Sequence, residues 1–459
     1  MGAPFKAQQS GYVFGVSTKY KGVFANQPLG AGNTHYSVSS TSSLTVLGFT
    51  SFFLNWVTSS GAATFQDPSA AQTPVVFNQA NTTVTARYKA HLGSSVSNTT
   101  GPNNQRKICF VADKYHLVYE SSGEIYYCRS TDNGSTWTQD LRISDGSGLN
   151  RTPSLAVNRK QTPQLLGVTW EEFDASASHS TICVNRFDFS AGTWSGVEFL
   201  PDEAYDIAQG FAGATPVMTM EPSVETIIWA VNSTNGLYQS GLHMWINNLE
   251  NSITSSVVIG STDGNSLWPS SAEDPYVNFN GHIGLVWAQS GAIKYLPITY
   301  DPPRERLTYG SLETVSSGSS LTVHDKPSFT FEWVGSTNRP VVAWQAYDQT
   351  YTYLTVILKR RRESGGWGTI TQYSKDEDFY SPSIVPYDAS TYLSMSWFEN
   401  STNGTMYLAK YTGSWGSRQT LSSSGRYPSL GYDAGGTATH FRVMYGSGNG
   451  APYLIGTTS

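Results

Sequence analysis

The sequence predicts an all-β protein: a β-propeller of seven blades, with six as the alternative, behind a small N-terminal β-rich domain. Three observations predict it. From Gln105 onward a proline followed by a strand recurs, at Pro153-Ser154-Leu155, Pro216-Val217-Met218, Pro275-Tyr276-Val277, Pro327-Ser328-Phe329, Pro382-Ser383-Ile384 and Pro428-Ser429-Leu430. Some 12–17 residues after each proline comes a run ending in an aromatic: Thr169-Trp170, Ile228-Trp229, Val286-Trp287, Ala343-Trp344, Ser396-Trp397 and Met444-Tyr445, with Val118-Tyr119 ahead of them. These runs lie about 50 residues apart, the length of four short strands with turns, and a unit of that size buries both its faces only by repetition around an axis.

The elements follow in order. Residues 1–90 differ from the rest, with short alternating runs such as Phe52-Phe53-Leu54-Asn55-Trp56, Pro74-Val75-Val76-Phe77 and Thr83-Val84-Thr85-Ala86-Arg87-Tyr88 between Gly, Ser, Asn and Pro turns. Residues 91–104 are a polar stretch that reads as a linker. Residues 105–459 are the repeat array. Gly-x-Trp turns such as Gly192-Thr193-Trp194, Gly365-Gly366-Trp367 and Gly413-Ser414-Trp415 close several units. The last unit, from Tyr427 to Ser459, has room for about three strands, so a segment such as Tyr12-Val13-Phe14-Gly15-Val16 is expected to supply the missing one and close the ring.

The stretch Ser130-Thr131-Asp132-Asn133-Gly134-Ser135-Thr136-Trp137 reads S-x-D-x-G-x-T-W. Asp132 can accept backbone N–H bonds, Gly134 supplies a positive φ, Ser130 and Thr136 tie the turn, and Trp137 is expected to be buried beside it. This string resembles the Asp-box of the sialidase (bacterial neuraminidase repeat) propellers. The resemblance implies a hairpin turn on the face opposite the active site, hence a structural role for Ser130, Asp132, Gly134, Thr136 and Trp137. A second string, Ser261 to Trp268, has Gly and Asn interchanged and reads as degenerate. The pattern F-L-N-W, T-P-V-V-F and V-T-A-R-Y in the first 90 residues resembles the small module beside internalin-type bacterial surface domains, which implies a spacer role.

Composition narrows the function. Charged residues are only 14% of the chain, and the net charge of −6 argues against a nucleic-acid surface or a polybasic membrane patch. No apolar run approaches the ~20 residues of a transmembrane helix. Cys109, Cys128 and Cys183 lie in apolar runs and read as buried thiols, and Lys359 to Arg362 as charged protection of an outer strand. Seven Asn-X-Ser/Thr sequons, Asn133 and Asn150 among them, are compatible with glycosylation. His116 and His324 lack partners at metal spacing, and no cofactor motif is present. This profile is that of an extracellular or cell-surface protein.

In a propeller the ligand face is formed by the loop before each innermost strand and the loop after each second strand. Those positions hold Arg106, Arg151 and Arg426; Glu120 and Glu171; His324 and Asp325; and Tyr380 and Tyr427. Three arginines at equivalent positions would suit a sugar carboxylate, with Glu171 or Asp325 as acid or base. The opposing reading pairs Arg106, Arg151 and Arg426 with Glu120, Glu171 and Glu399 of neighbouring blades, which would hold the ring together. No Arg-Ile-Pro string precedes the first blade and only one good Asp-box is present, so the first expectation is binding or surface assembly. Partners would be glycans, other surface proteins or further copies of the chain. Glycoside hydrolysis of the sialidase exo type is the alternative.

Overall fold

The computed structural model describes the chain except residues 1–5, 9–12, 19–35, 47–48, 79–82, 102–104, 159–163, 175–178, 201–204, 207–213, 222–223, 232–240, 250–253, 260–265, 274–281, 302–305, 318–321, 335–336, 349–354, 374–378, 387–392, 400–403, 433–440, 448–452 and 459. It divides into two compact units, Met1–Val96 and Ser97–Ser459.

In the first unit, Lys6–Gln8, Val13–Thr18, Thr83–Ala90, Phe49–Ser60 and Ser43–Val46 lie side by side in that order, and Tyr36–Ser39, Gln72–Phe77 and Ala63–Phe65 form a second sheet. The alternation along Thr83–Ala90 turns Val84, Ala86, Tyr88 and Ala90 to one face, where they meet the buried Trp56. The Trp56 indole N–H donates to the Ala70 carbonyl at 3.2 Å. Val13–Thr18 pairs with Thr83–Ala90 within this unit. The segment expected to complete the C-terminal sheet is therefore committed elsewhere, its Tyr12 lying outside the described residues.

The second unit is an all-β propeller. Its innermost strands are Ile108–Val111, Leu149–Asn158, Val217–Glu221, Ser266–Glu273, Thr322–Val334, Phe379–Pro386 and Gly425–Tyr432, each leading an antiparallel sheet whose second and third strands follow in chain order. Each innermost strand packs beside the next, and Gly425–Tyr432 packs beside Ile108–Val111, so the series returns to its start.

The recurrent serine after the proline stitches neighbouring sheets. Phe329 N donates to Ser270 Oγ at 3.2 Å, Ile384 N to Ser328 Oγ at 3.1 Å, Leu430 N to Ser383 Oγ at 3.0 Å, and Lys107 N to Ser429 Oγ at 3.0 Å. The last of these joins the final sheet to the first. The recurrent aromatics do the apolar half of the work. Trp170 packs against Val118 and Ile125 of the preceding sheet, Trp229 against Ile182 and Val184, Trp287 against Ile228 and Met244, and Trp344 against Val286 and Tyr295. Truncating such a buried indole costs about 3–5 kcal/mol.

The expected strand at Pro275-Tyr276-Val277 lies outside the described residues. The innermost strand of its sheet is Ser266–Glu273, with Pro269-Ser270 in the recurring place. The degenerate box-like string thus runs into an innermost strand at Leu267 and Trp268, while its residues 261–265 lie outside the described residues.

The turn at 130–137 is built as its residue types predict. Ser130 Oγ donates to Asp132 Oδ1 at 2.7 Å, Gly134 N to Ser130 Oγ at 2.7 Å, Thr136 N to Asp132 Oδ1 at 2.9 Å and Thr136 Oγ1 to Asp132 Oδ2 at 2.6 Å. The turn connects Glu124–Ser130 to Leu141–Arg142. Trp137 is half-buried rather than buried, because the turn projects into solvent, with Asp132, Asn133, Ser135 and Thr136 exposed. Gly134 carries a φ of 73° and lies against Arg442 of the last sheet: a Cβ there would fall 2.6 Å from Arg442 Nε. The same guanidinium lies 5.2 Å from the Tyr115 ring centre, so this turn forms part of the seam between first and last sheets.

The three cysteines are buried thiols not joined in a disulfide. Thr355–Glu363, which carries the basic run, is paired on both sides and is not an outer strand. Asn150 is 0% exposed, which closes that sequon to a glycan.

Candidate functional site

The start of each innermost strand carries the feature that shapes the candidate site. Proline has no N–H for the ladder, and the strand bulges at five of the x-Pro steps. Register shifts fall between Arg151 and Ser154, Leu267 and Ser270, Asp325 and Ser328, Tyr380 and Ser383, and Arg426 and Ser429. The residue before each proline takes a left-handed conformation: Thr152 (φ 52°), Thr215 (42°), Trp268 (56°), Lys326 (46°), Ser381 (52°) and Tyr427 (52°). For an L residue this costs about 1–2 kcal/mol. The spacing of the prolines was legible in the sequence, whereas the role of the residue before them was not, because a proline ordinarily signals only an extended predecessor.

The polar groups of this rim are largely engaged with one another. Arg151 Nε donates to Glu171 Oε2 at 2.9 Å and its Nη2 to Glu171 Oε1 at 3.1 Å. Ser180 Oγ donates to the same carboxylate at 2.5 Å, and the Phe173 ring lies 4.6 Å from the guanidinium carbon. Arg151 and Glu171 face each other across adjacent strands of one sheet. The expected pairing between neighbouring blades is thus replaced by one within a blade, because the bulge keeps Arg151 level with Glu171. A neighbouring-blade ion pair that does form is Arg186 to the buried Glu225, Nη2 to Oε2 at 2.7 Å, between third and second strands. Its residues gave no positional signal, since they lie mid-strand.

Glu120 does bridge two sheets, through a backbone group rather than an arginine: its Oε2 accepts from Thr152 N at 3.1 Å. Burial holds its carboxyl above the usual range, against the opposing pull of Thr152 N–H and Lys107. Gln345 Oε1 plays the matching part further round, accepting from Ser381 N at 3.0 Å.

Arg106 is not equivalent to Arg151 and Arg426. By register it takes the place of the proline, since Lys107 O accepts from Val118 N at 2.9 Å as Ser154 pairs with Thr169. It lines a cavity of about 20 Å³ with Leu155, Met218, Thr219 and Ser271, room for about one water. Lys107, where other sheets have serine, is 0% exposed. Its Nζ donates to Gln105 Oε1 at 2.7 Å and to the Pro153 carbonyl, and Gln105 Nε2 donates to Thr152 O at 2.8 Å. Burial pushes the Lys107 amine well below the usual lysine range, with Glu120 opposing. These bonds fill the rim between the first three sheets. Arg426 lies with its stem against Gly404, where a Cβ would be 2.6 Å from Arg426 Cγ. Of the three arginines, Arg151 is turned to Glu171, Arg106 to its cavity and Arg426 to Gly404.

His324 is buried, its Nδ1 bonded to Ser316 Oγ and its ring 5.9 Å from Trp344; burial lowers its pKa. Asp325 Oδ1 accepts from Lys326 N at 2.7 Å, and burial raises its carboxyl. His116 is buried against Tyr127, Nδ1 to hydroxyl 2.8 Å.

The rim also carries aromatic rings. The Tyr380 and Phe398 ring centres are 5.7 Å apart, and Phe398 and Tyr427 5.0 Å. Trp268 is half-buried, packed on the core between its sheet and the next, with Lys326 Nζ 5.6 Å from its ring centre. Tyr347, at the same end of its sheet opposite Val323, is 38% exposed. Lys326 follows the candidates His324 and Asp325, and Trp268 ends the degenerate box-like string; what the two share is their place before Pro327 and Pro269.

No helix among the described residues is long and apolar enough to cross a membrane. No protein-family model matches the chain, and no curated protein matches it. Among solved structures it is similar to AofleA from Arthrobotrys oligospora (10% identity over 71% of this chain and 88% of that one, TM-score 0.43). It is also similar to the fucose-specific lectin from Aleuria aurantia (11%, 71% and 98%, 0.43) and to an α-L-arabinofuranosidase from Fusarium graminearum (13%, 67% and 91%, 0.45). At these scores the likenesses carry no weight for function.

Proposed function

We propose that this protein is an extracellular or cell-surface carbohydrate-binding propeller of seven blades, related to the Asp-box propellers, with an internalin-module-like spacer at its N-terminus. The observation that carries the reading is the rim itself: half-buried aromatic rings stand on the proline bulges while Arg151, Glu171 and Lys107 are engaged internally. A half-buried ring offers a sugar its face, which is amphipathic in the same way. The bidentate engagement of Arg151 by Glu171 removes the fork that a sialic acid carboxylate would require, which favours neutral glycans over the sialidase substrate. The ring of stitched sheets supplies the rigidity that preorganised binding needs.

Glycoside hydrolysis is the second reading. Glu120, held towards its protonated form, and Glu171, held by Arg151, are a pair of carboxyls in unlike surroundings at one end of the ring. One experiment separates the two: probe the full chain on an immobilised glycan panel and, in parallel, with fluorogenic glycosides. Saturable retention without turnover supports binding. Turnover lost in both Glu120→Gln and Glu171→Gln supports hydrolysis, and neither retention nor turnover sinks both.

A further inference from the structure

The six residues before the prolines share one strained conformation but not one size. Thr152, Thr215 and Ser381 are small, and Thr215 and Ser381 are buried. Trp268 and Tyr427 are the bulky ones, and both are half-buried. A left-handed conformation is a true outlier for a bulky side chain. A fold that wanted only the bulge would be served better by glycine or a small residue at these places. Such strain persists where the surroundings over-determine it, and it gathers at ligand sites.

Each of the two rings packs on a core cluster, and at Trp268 an ammonium lies over the ring. Trp268 rests on the cluster that includes Val286 and Phe329, and Lys326 Nζ lies 5.6 Å from its ring centre. Tyr427 rests on the cluster that includes Val385 and Leu430, 5.0 Å from the Phe398 ring, and its own carbonyl is fixed by Thr100 Oγ1 at 2.5 Å. The two rings belong to the fourth and seventh sheets, so no single monosaccharide meets both. The part of the rim at the first two sheets is filled by Gln105, Lys107 and their bonds to the Thr152 and Pro153 carbonyls.

Resting on the carbohydrate-binding reading above, we propose that Trp268 and Tyr427 are the stacking platforms of two separate subsites, each taking one neutral pyranose by its C–H face. Lys326 supplies hydrogen-bond donors to hydroxyls at the first platform, and the Tyr427 hydroxyl does so at the second. The strained backbone aims each ring, so the residues whose conformation costs the fold most carry the recognition.

The test is isothermal titration of the full chain with the neutral methyl pyranoside that scores highest on the panel. The wild type should saturate at two sugars per chain, Trp268→Ala and Tyr427→Ala at one each, and the double variant at none. Trp268→Gly and Tyr427→Gly should lose the same sites with melting temperatures within about 2 °C of wild type, since glycine relieves the conformation. Tyr309→Ala, on an exposed outer strand, is the control and should keep both sites. Two sites retained in the single variants, or a wild type saturating at one sugar, would overturn the inference and leave the binding reading standing. A wild type that binds no pyranoside on the panel fails both together. Stoichiometry lost along with a large fall in melting temperature, in the glycine variants as well as the alanine ones, would assign the rings to the fold instead.

Discussion

Arg151 and Glu171 face each other across adjacent strands, joined by two hydrogen bonds of 2.9 and 3.1 Å, with the carboxylate fully buried and the guanidinium a quarter exposed. A buried charge left alone by loss of its partner is far more costly than the pair is favourable. Arg151→Ala should therefore destabilise the second unit by about 3–5 kcal/mol in urea unfolding, with the larger part recovered in Arg151→Met paired with Glu171→Leu. If Arg151→Ala leaves stability unchanged but abolishes a ligand interaction, the pair is functional and not structural.

The serine stitches make a graded prediction. Ser383→Ala leaves Leu430 N–H without its acceptor, and Ser270→Ala does the same to Phe329 N–H. Each should cost about 1–3 kcal/mol. Because the two lie in different sheets and share no partner, their effects should add to within about 0.5 kcal/mol. Denaturant titration of the single and double variants checks both statements.

At the seam, Gly134 sits at positive φ with no room for a Cβ beside Arg442. Gly134→Ala should destabilise by about 1–2 kcal/mol from conformation alone, and more from the clash. Combining it with Arg442→Ala should recover the clash and leave the conformational part, so the double-mutant cycle should show coupling. No coupling would mean that the turn does not bear on the last sheet.

His116 gives the pH dependence. Burial lowers its pKa from 6.5 to about 4, so the folded chain holds a neutral ring where the unfolded chain would be protonated. That contribution is complete above about pH 6.5 and is lost as pH falls from there towards 4, by about 3 kcal/mol in all. His116→Gln should flatten this part of the stability profile. An unchanged slope between pH 6.5 and 4 would contradict it.

Much of this fold was legible because its repeat is written in residues with strong backbone or burial preferences. The x-Pro-Ser step and the aromatic at the end of the second strand are one motif for bulge, stitch and wedge. The fourth repeat was misplaced because Pro269 and Pro275 both stand about 50–60 residues from their neighbours, and only the serine after Pro269 distinguishes them. The first repeat carries no proline, and Lys107 replaces the serine, so its register was hidden. The equivalence of the three arginines was hidden for a related reason. Counting from the strand start places Arg106 beside Arg151, whereas the bulge moves it two residues along, to the proline's place. Pairing of Arg186 with Glu225 depends on how two sheets pack, which no local pattern records. The N-terminal strand at Val13–Thr18 looked available because its partner, Thr83–Ala90, lies some 70 residues away.

The account rests most heavily on where a sugar lies. A crystal structure of the full chain soaked with the best-retained neutral pyranoside tests this directly. The account predicts sugar rings stacked on Trp268 and on Tyr427, with the Arg151–Glu171 pair intact. A sugar seated between Glu120 and Glu171 with that pair broken would contradict it.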